Sequence, residues 1–186
     1  MAFTMKKTVS VSMTAAALLV ATWGAQAADV SPSAVVHITA TVTGSTCTPE
    51  WKTGSNVEVS LGKVADTALE AVGDVGATKP FILSLKDCDS GVKKVSVTAM
   101  GKADSADSKA FANTAATDAA SGVAVALFGG STQLTPDGTG SAEYVVTDGA
   151  ADMAFLAKLE RSAAVGDKGT KDGAVESTAT LYMSYE

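Results

Sequence analysis

The sequence predicts an all-β fold, a sandwich of two packed sheets, on three observations. Apolar and polar residues alternate with a period of two in most segments that have a clear period. These segments are short, and loops rich in Gly, Asp and Ser separate them. Roughly seven or eight such segments follow one another, which is typical of a β-sandwich.

The first alternating segment, residues 33–47, lies near the start of the mature chain, where chains are usually loosely ordered. The sequence therefore does not show which strand it pairs with. This segment is followed by a second alternating run and by a more apolar one, which is typical of a central strand. The later predicted strands are residues 56–62, 80–88, 92–100, 122–128, 142–147, 153–160 and 177–186.

Three other stretches are predicted to be connections. Residues 65–79 contain helix formers, but two glycines interrupt them. Residues 101–121 are small and polar, so we expect an exposed connection with room for one helical turn. Residues 163–177 contain three glycines and are predicted to form a loop.

The beginning of the chain is typical of a secretory signal peptide. Lys6 and Lys7 form a positive region, an uncharged small and apolar stretch follows, and residues 25–27 are a small-x-small cleavage motif. We therefore predict a leader over residues 1–27, cleaved between Ala27 and Ala28. A transmembrane anchor is the weaker alternative, since Ser and Thr interrupt the stretch and no basic run follows it.

The rest of the chain is long enough for one domain and is acidic. The whole sequence carries a formal net charge of −6, and the leader holds lysines but no acids. An acidic exported domain repels phosphate, which argues against nucleic acid and anionic lipid as partners. We also expect no stable insertion into a membrane.

Cys47 and Cys88 are the two cysteines of the chain. In an exported protein an even count favours a disulfide, and the chain-entropy model gives this loop about 4 kcal/mol of stabilisation. A metal site or a nucleophile is the alternative, but the sequence lacks the His and Cys partners that zinc requires.

The sequence contains no recognisable catalytic arrangement of residues. The single histidine, His37, has Thr and Val neighbours and no nucleophile motif beside it. Asp-rich stretches at residues 87–91 and 136–141 lack the ligand pattern of a calcium loop and are interpreted as turns. We predict no catalytic residue, no cofactor and no metal, and expect Trp51 to have a packing role and Asp104 and Asp107 to be solvated.

Several segments together resemble the major structural subunits of type 1-like fimbriae, which the chaperone–usher pathway of Gram-negative bacteria assembles. The segments are "VHITATVTGSTC" before the first cysteine, "FILSLKDCD" around the second, "GVAVALF" followed by "LTPDG", and "ATLYMSYE" with its penultimate Tyr. "VSLGKV" is similar to a further family segment. Their order and spacing cover nearly the whole mature chain.

The resemblance implies an incomplete immunoglobulin-like sandwich that lacks its last strand. It divides the mature chain into a donor-strand extension, residues 28–43, and a pilin domain, residues 44–186. It also implies a fibre shaft at the cell surface, in which each extension completes a neighbouring subunit after a periplasmic chaperone has delivered it to an outer-membrane usher. Such strand donation is a form of β-augmentation, in which an extended segment adds a strand to an exposed sheet edge.

The resemblance also implies roles for individual residues. Leu181, Met183 and Tyr185 in the last strand are expected to contact the chaperone. The residues of the extension expected to face the groove of the next subunit are Val30, Pro32, Ala34, Val36, Ile38 and Ala40.

Two departures from the family pattern concern the extension. Ala34 stands where the family often has Gly, and Pro32 removes one backbone donor. Both affect the register expected for the donated strand.

Two alternative functions remain open at this point. One is a minor or adaptor subunit of the same kind of fimbria. The other is a self-contained secreted β-sandwich that binds a carbohydrate or a protein, which predicts a stable monomer that does not need its first residues.

Overall fold

Two antiparallel sheets face each other in the computed structural model, which describes residues 46–51, 56–163 and 170–186. The only helical element in these ranges is a short 3-10 turn at Asp66–Ala68. The strands are β1 (Thr48–Pro49), β2 (Val75–Lys86), β3 (Lys94–Gly101), β4 (Phe111–Ala112), β5 (Val123–Gly129), β6 (Thr132–Leu134), β7 (Asp137–Val145), β8 (Ala151–Arg161) and β9 (Ala179–Tyr185).

The larger sheet, called sheet A, has the strand order β1-β2-β8-β5-β4, with β6 also paired to β5. The smaller sheet, called sheet B, has the order β7-β3-β9. The long central ladders place Phe81 opposite Phe155 and Phe155 opposite Gly129, so one inward row crosses β2, β8 and β5. The prediction of an all-β sandwich is confirmed.

The core lies between the sheets because the inward residues of the strands alternate with polar outward ones. On β8 the alternation is complete, with every second residue from Ala151 to Arg161 buried. The Phe155 ring stacks on Phe81, with ring centroids 5.2 Å apart, and lies against Tyr144 at 5.6 Å. The largest fully buried side chains are Phe111, Leu85, Leu134, Met153, Val95 and Val97.

Four predictions about local structure were wrong. Residues 65–79 are not only a connection, because β2 begins at Val75. Residues 101–121 are not only an exposed connection, because they contain β4 and place Phe111 in the core with 1% of its surface exposed. Strand β7 begins in the glycine-rich stretch at Asp137, well before the predicted residue 142. Residues 56–62 are not a strand, since they form no ladder with any described strand.

Several other predictions fall outside the described residues. These are the leader over residues 1–27, its cleavage between Ala27 and Ala28, and the extension over residues 28–43 with its six groove-facing side chains. Within the ranges that the structure describes, no helix has the length and apolar character needed to cross a bilayer.

Candidate functional site: an open cleft between the sheets

A cleft of about 1170 Å³ opens between the two sheets along one side of the sandwich. One wall is β9 together with the residues that lead into it, and the other wall is the extended segment of residues 56–64. The apolar floor comes mainly from sheet A: Phe81, Leu83, Phe111, Val123, Val125, Leu127, Ala157 and Leu159.

The inward side chains of β9 are only half-buried, although those of the neighbouring strand are completely buried. The ladder places Tyr185, Met183 and Leu181 opposite residues 95, 97 and 99 of β3. The three β3 residues are 0% exposed, whereas the three β9 residues are partly accessible while still packing on the core. The part of the core that lies under β9 and beyond its outer edge is therefore not fully covered.

The outer edge of β9 is also open. Among the strands that the structure describes, β9 forms a ladder with β3 alone, so its other backbone edge faces the cleft. A row of unpaired N–H and C=O groups beside an apolar floor is the arrangement that accepts an added strand.

The segment of residues 56–64 lies opposite β9 and presents apolar side chains without a ladder. Val59, Leu61 and Val64 are partly buried and pack against the core clusters, while Val57 is largely exposed. The alternation that predicted a strand here is real, but a strand also needs a hydrogen-bonding partner, and no described strand supplies one.

The predicted disulfide is present between Cys47 and Cys88, in the same core cluster as Trp51, which lines one end of the cleft. Beside the disulfide Thr46 and Asp89 exchange two hydrogen bonds: Asp89 N–H donates to the Thr46 carbonyl at 3.0 Å, and Thr46 N–H donates to the Asp89 carboxylate at 2.9 Å. Trp51 packs on the core nearby, as predicted. The first described residues are thus fixed to the connection between β2 and β3.

The end of β9 is fixed at this same connection. The main-chain N–H groups of Lys93 and Lys94 donate to the carbonyl of Glu186. The Lys94 ammonium lies 3.4 Å from the Glu143 carboxylate and 3.5 Å from the Glu186 carboxylate. Both carboxylates raise the pKa of Lys94, and Glu143 has the larger effect. Thr46 and Glu186 therefore both lie at the disulfide end of the cleft.

Residues 171–177, here called the strap, line the cleft at its other end, before β9. The strap continues into β9. It is bonded to the loop after β4, because Thr114 N–H donates to the Glu176 carbonyl at 2.7 Å and Ala120 N–H donates to the Ala174 carbonyl at 2.9 Å. The sequence predicted only a loop here, and no motif indicated that it would border the site.

Charged side chains occur at the rim of the cleft, and apolar ones form its floor. The rim carries acids and bases of both signs: Glu58, Lys63, Asp66, Lys171, Asp172 and Glu176. Such a cleft suits an extended segment with apolar residues on one face and polar residues on the other. Within the described ranges no cluster of His, Cys, Asp or Glu is arranged to hold a metal.

The structure brings together the predicted residues of the last strand. Leu181 and Met183 line the cleft, and Tyr185 packs on the core at the disulfide end. Asp104 and Asp107, predicted to be simply solvated, also shape their loop. Asp104 accepts hydrogen bonds from the N–H groups of Ala106 and Asp107.

Comparisons with known proteins agree with this geometry. The sequence model described as "Fimbrial protein" matches residues 36–186. The chain is 31% identical to a probable major fimbrial subunit, LpfA, of Escherichia coli O157:H7, over the full length of both chains. It is 30% identical to the type-1 fimbrial protein A chain of Salmonella typhi, covering 93% of this chain and 96% of that one.

A solved structure supports the fold. The P pilus rod subunit PapA superposes with a TM-score of 0.61 at 21% identity, covering 75% of this chain and 99% of that one. The half-covered β9 row, the matched sequence model and these full-length relatives lead to one conclusion. The chain belongs to the fimbrial protein family and is a structural subunit of a surface fimbria.

Proposed function

We propose that the cleft receives a β-strand from the extension, residues 28–43, of a second copy, so that subunits polymerise head to tail by donor-strand exchange. The observation that carries this proposal is the contrast between β3 and β9. Two neighbouring strands share one inward face, and only the one beside the cleft leaves that face half-covered. One more strand along β9 would cover it.

The extension has the composition that the cleft requires. Its alternating residues Val30, Pro32, Ala34, Val36, Ile38 and Ala40 would face the apolar floor. The larger of them contribute about 1.5–3 kcal/mol each on burial, so the whole strand exceeds roughly 6 kcal/mol before the entropy of ordering is subtracted. Backbone pairing with β9 adds to this.

The direction of the chain favours a second copy over the molecule's own extension. The extension precedes Thr46 in the sequence, and Thr46 lies at the disulfide end, where β9 also finishes. If it lay in its own cleft without reversing, it would run parallel to β9, and parallel pairing is slightly less stable per residue. A second copy can insert antiparallel, with residue 40 near the strap and residue 30 near Tyr185.

Insertion between copies makes a filament. The contact joins two different surfaces, the extension of one subunit and the cleft of the next, so it is heterologous and does not need to close into a ring. Release requires the whole strand to be withdrawn together, so the fibre is expected to be kinetically stable.

Before assembly the same cleft needs a temporary occupant. An exposed apolar cleft with an open strand edge is an aggregation hazard. We assign this occupant to a periplasmic chaperone that pairs with β9 and contacts Leu181, Met183 and Tyr185, and that hands the subunit to an outer-membrane usher. On this proposal the protein is a polymer subunit and has no catalytic activity.

The test compares two faces of the extension. Ile38→Asp places a charge against the apolar floor, whereas Thr39→Asp places the same charge on the outward face. Electron microscopy of surface material should show fibres for wild type and Thr39→Asp and none for Ile38→Asp or for deletion of residues 28–42. All variants should still co-purify with the chaperone. Fibres from the deletion variant would refute donor-strand exchange.

A further inference from the structure

We propose that Asn113 is a positioning residue for strand insertion, because it holds the strap that forms one end of the cleft. This inference rests on the proposed donor-strand exchange. Asn113 does not line the cleft itself, and nothing in its sequence neighbourhood indicates a role in assembly.

The Asn113 side chain uses both the donors and the acceptor of its amide across one gap. Its Nδ2 donates to the carbonyls of Ala120 at 2.9 Å and Ala174 at 2.8 Å. Its Oδ1 accepts from the N–H groups of Ala115 at 3.1 Å and Glu176 at 2.9 Å. One amide thus joins the loop after β4 to two residues of the strap.

The place of Asn113 in the chain makes this amide a link between the floor and the end wall. It directly follows β4, which pairs with β5 in sheet A and contributes Phe111 to the floor of the cleft. The strap makes no ladder with a described strand. Asn113 therefore fixes residues 174 and 176, which precede β9, relative to sheet A through its hydrogen bonds.

The fit between the strap and this loop is close. A Cβ atom on Gly173 would collide with the carbonyl oxygen of Asp118 and with the main-chain N of Ala120. Thr114 adds a further side-chain link, since its hydroxyl donates to the Glu176 carbonyl at 3.1 Å, and main-chain hydrogen bonds also join this loop to the strap. The strap therefore packs closely against the loop after β4.

An antiparallel strand inserted beside β9 would pass the strap with its carboxyl-terminal residues, near residue 40, before continuing to its own subunit. If the strap shifts, the pairing of those residues weakens, while the residues near Tyr185 are unaffected. This difference between the two ends of the inserted strand separates a positioning role from a general effect on folding.

The experiment measures binding of fluorescent peptides to the monomeric fraction of the purified mature chain. The peptides are residues 28–43, residues 28–37, which lack the end at the strap, and residues 34–43, which keep it. Asn113→Asp keeps the oxygen that accepts hydrogen bonds but removes the Nδ2 group that donates two of them. It also places a negatively charged carboxylate oxygen next to the carbonyls of Ala120 and Ala174. Gln133→Glu is the matched control, because Gln133 donates its amide to the Lys109 carbonyl away from the strap.

Asn113→Asp should raise the Kd about tenfold for peptides 28–43 and 34–43 and leave the Kd of peptide 28–37 unchanged. This size of effect is expected when hydrogen bonds between uncharged groups are lost. Gln133→Glu should leave all three Kd values unchanged. If Asn113→Asp does not fold, Thr114→Val should give a smaller rise with the same dependence on the peptide.

An equal loss for all three peptides would overturn the positioning role in favour of a general structural one, and no loss for any peptide would overturn it as well. If wild type binds none of the peptides, the proposed strand exchange fails and this inference fails with it.

Discussion

The two long sides of the sandwich are built differently. On the side of β5, β6 and β7, the chain crosses from sheet A to sheet B within two residues, between Leu134 and Asp137. There Tyr144 donates its hydroxyl to the Ala154 carbonyl at 2.8 Å, and Ala142 is buried. On the side of β9, the facing wall is a segment that makes no ladder with a described strand.

Small residues make the closed side possible. A Cβ atom on Gly129 would lie 2.5 Å from the Cβ of Ala142 and 2.8 Å from the Tyr144 hydroxyl, so glycine lets β7 approach β5. On the open side, β9 pairs with no described strand other than β3. The core is therefore finished by intramolecular contacts on one side and left for a separate strand on the other.

The largest expected effect lies on the closed side. Leu134→Ala on β6 removes a side chain that is completely buried and does not line the cleft, so it should lower the free energy of unfolding by about 2–5 kcal/mol. The loss should be the same with and without the peptide of residues 28–43, measured by guanidinium unfolding. A loss that depends on the peptide would contradict the view that this side is already complete.

A smaller and conditional effect is expected on the open side. Met183→Ala should lower the free energy of unfolding by about 2 kcal/mol with the peptide bound and about 1 kcal/mol without it, since the side chain becomes fully buried only under an added strand. The same guanidinium titrations measure both values. Tyr182→Ala is the control, because Tyr182 faces outward on β9. Equal losses with and without the peptide would mean that no strand covers Met183.

The smallest effect concerns pH and the crossing on the closed side. Hydrogen bonds from the Thr135 hydroxyl, then from the N–H and hydroxyl of Thr139, lower the pKa of Asp137 to about 2, from 3.8. A carboxylate with a lowered pKa stabilises the fold above about pH 4, and this contribution is lost as the pH falls toward 2.

Asp137→Asn should therefore flatten the dependence of unfolding free energy on pH between about 4 and about 2. Tyr144→Phe is the control, since burial raises the pKa of Tyr144 to about 12 and its hydroxyl does not titrate in this range. An unchanged slope in Asp137→Asn would show that the network around the crossing does not hold its carboxylate in the charged form.

The sequence was a good guide where a strand has a partner within the chain. Residues 153–160 and 92–100 alternate, and both became central strands with buried inward rows. The sequence was a poor guide where the local pattern of residues does not determine strand pairing or burial. Residues 56–62 alternate but have no ladder with a described strand, and Phe111 lies in a stretch of small polar residues whose burial depends on contacts distant in sequence.

The site itself was predicted in part. The roles of Leu181, Met183 and Tyr185 in the last strand were expected from the family resemblance, and the disulfide follows from the cysteine count in an exported chain. The strap and Asn113 could not be predicted, because the link between residue 113 and residues 174 and 176 depends on a tertiary approach that leaves no period or motif in the sequence.

The pairing of β3 with β9 also constrains how fast the domain can form. Val95 pairs with Tyr185, so the smaller sheet depends on residues that are far apart in the sequence. Proteins dominated by such non-local pairings fold slowly, because loop-closure entropy must be overcome before the contacts repay it. While the chain emerges from a ribosome or a translocation channel, β3 has no neighbour on its β9 side. A newly exported molecule is therefore most prone to wrong pairing of β3 while β9 is not yet in place, which is before assembly with other subunits begins.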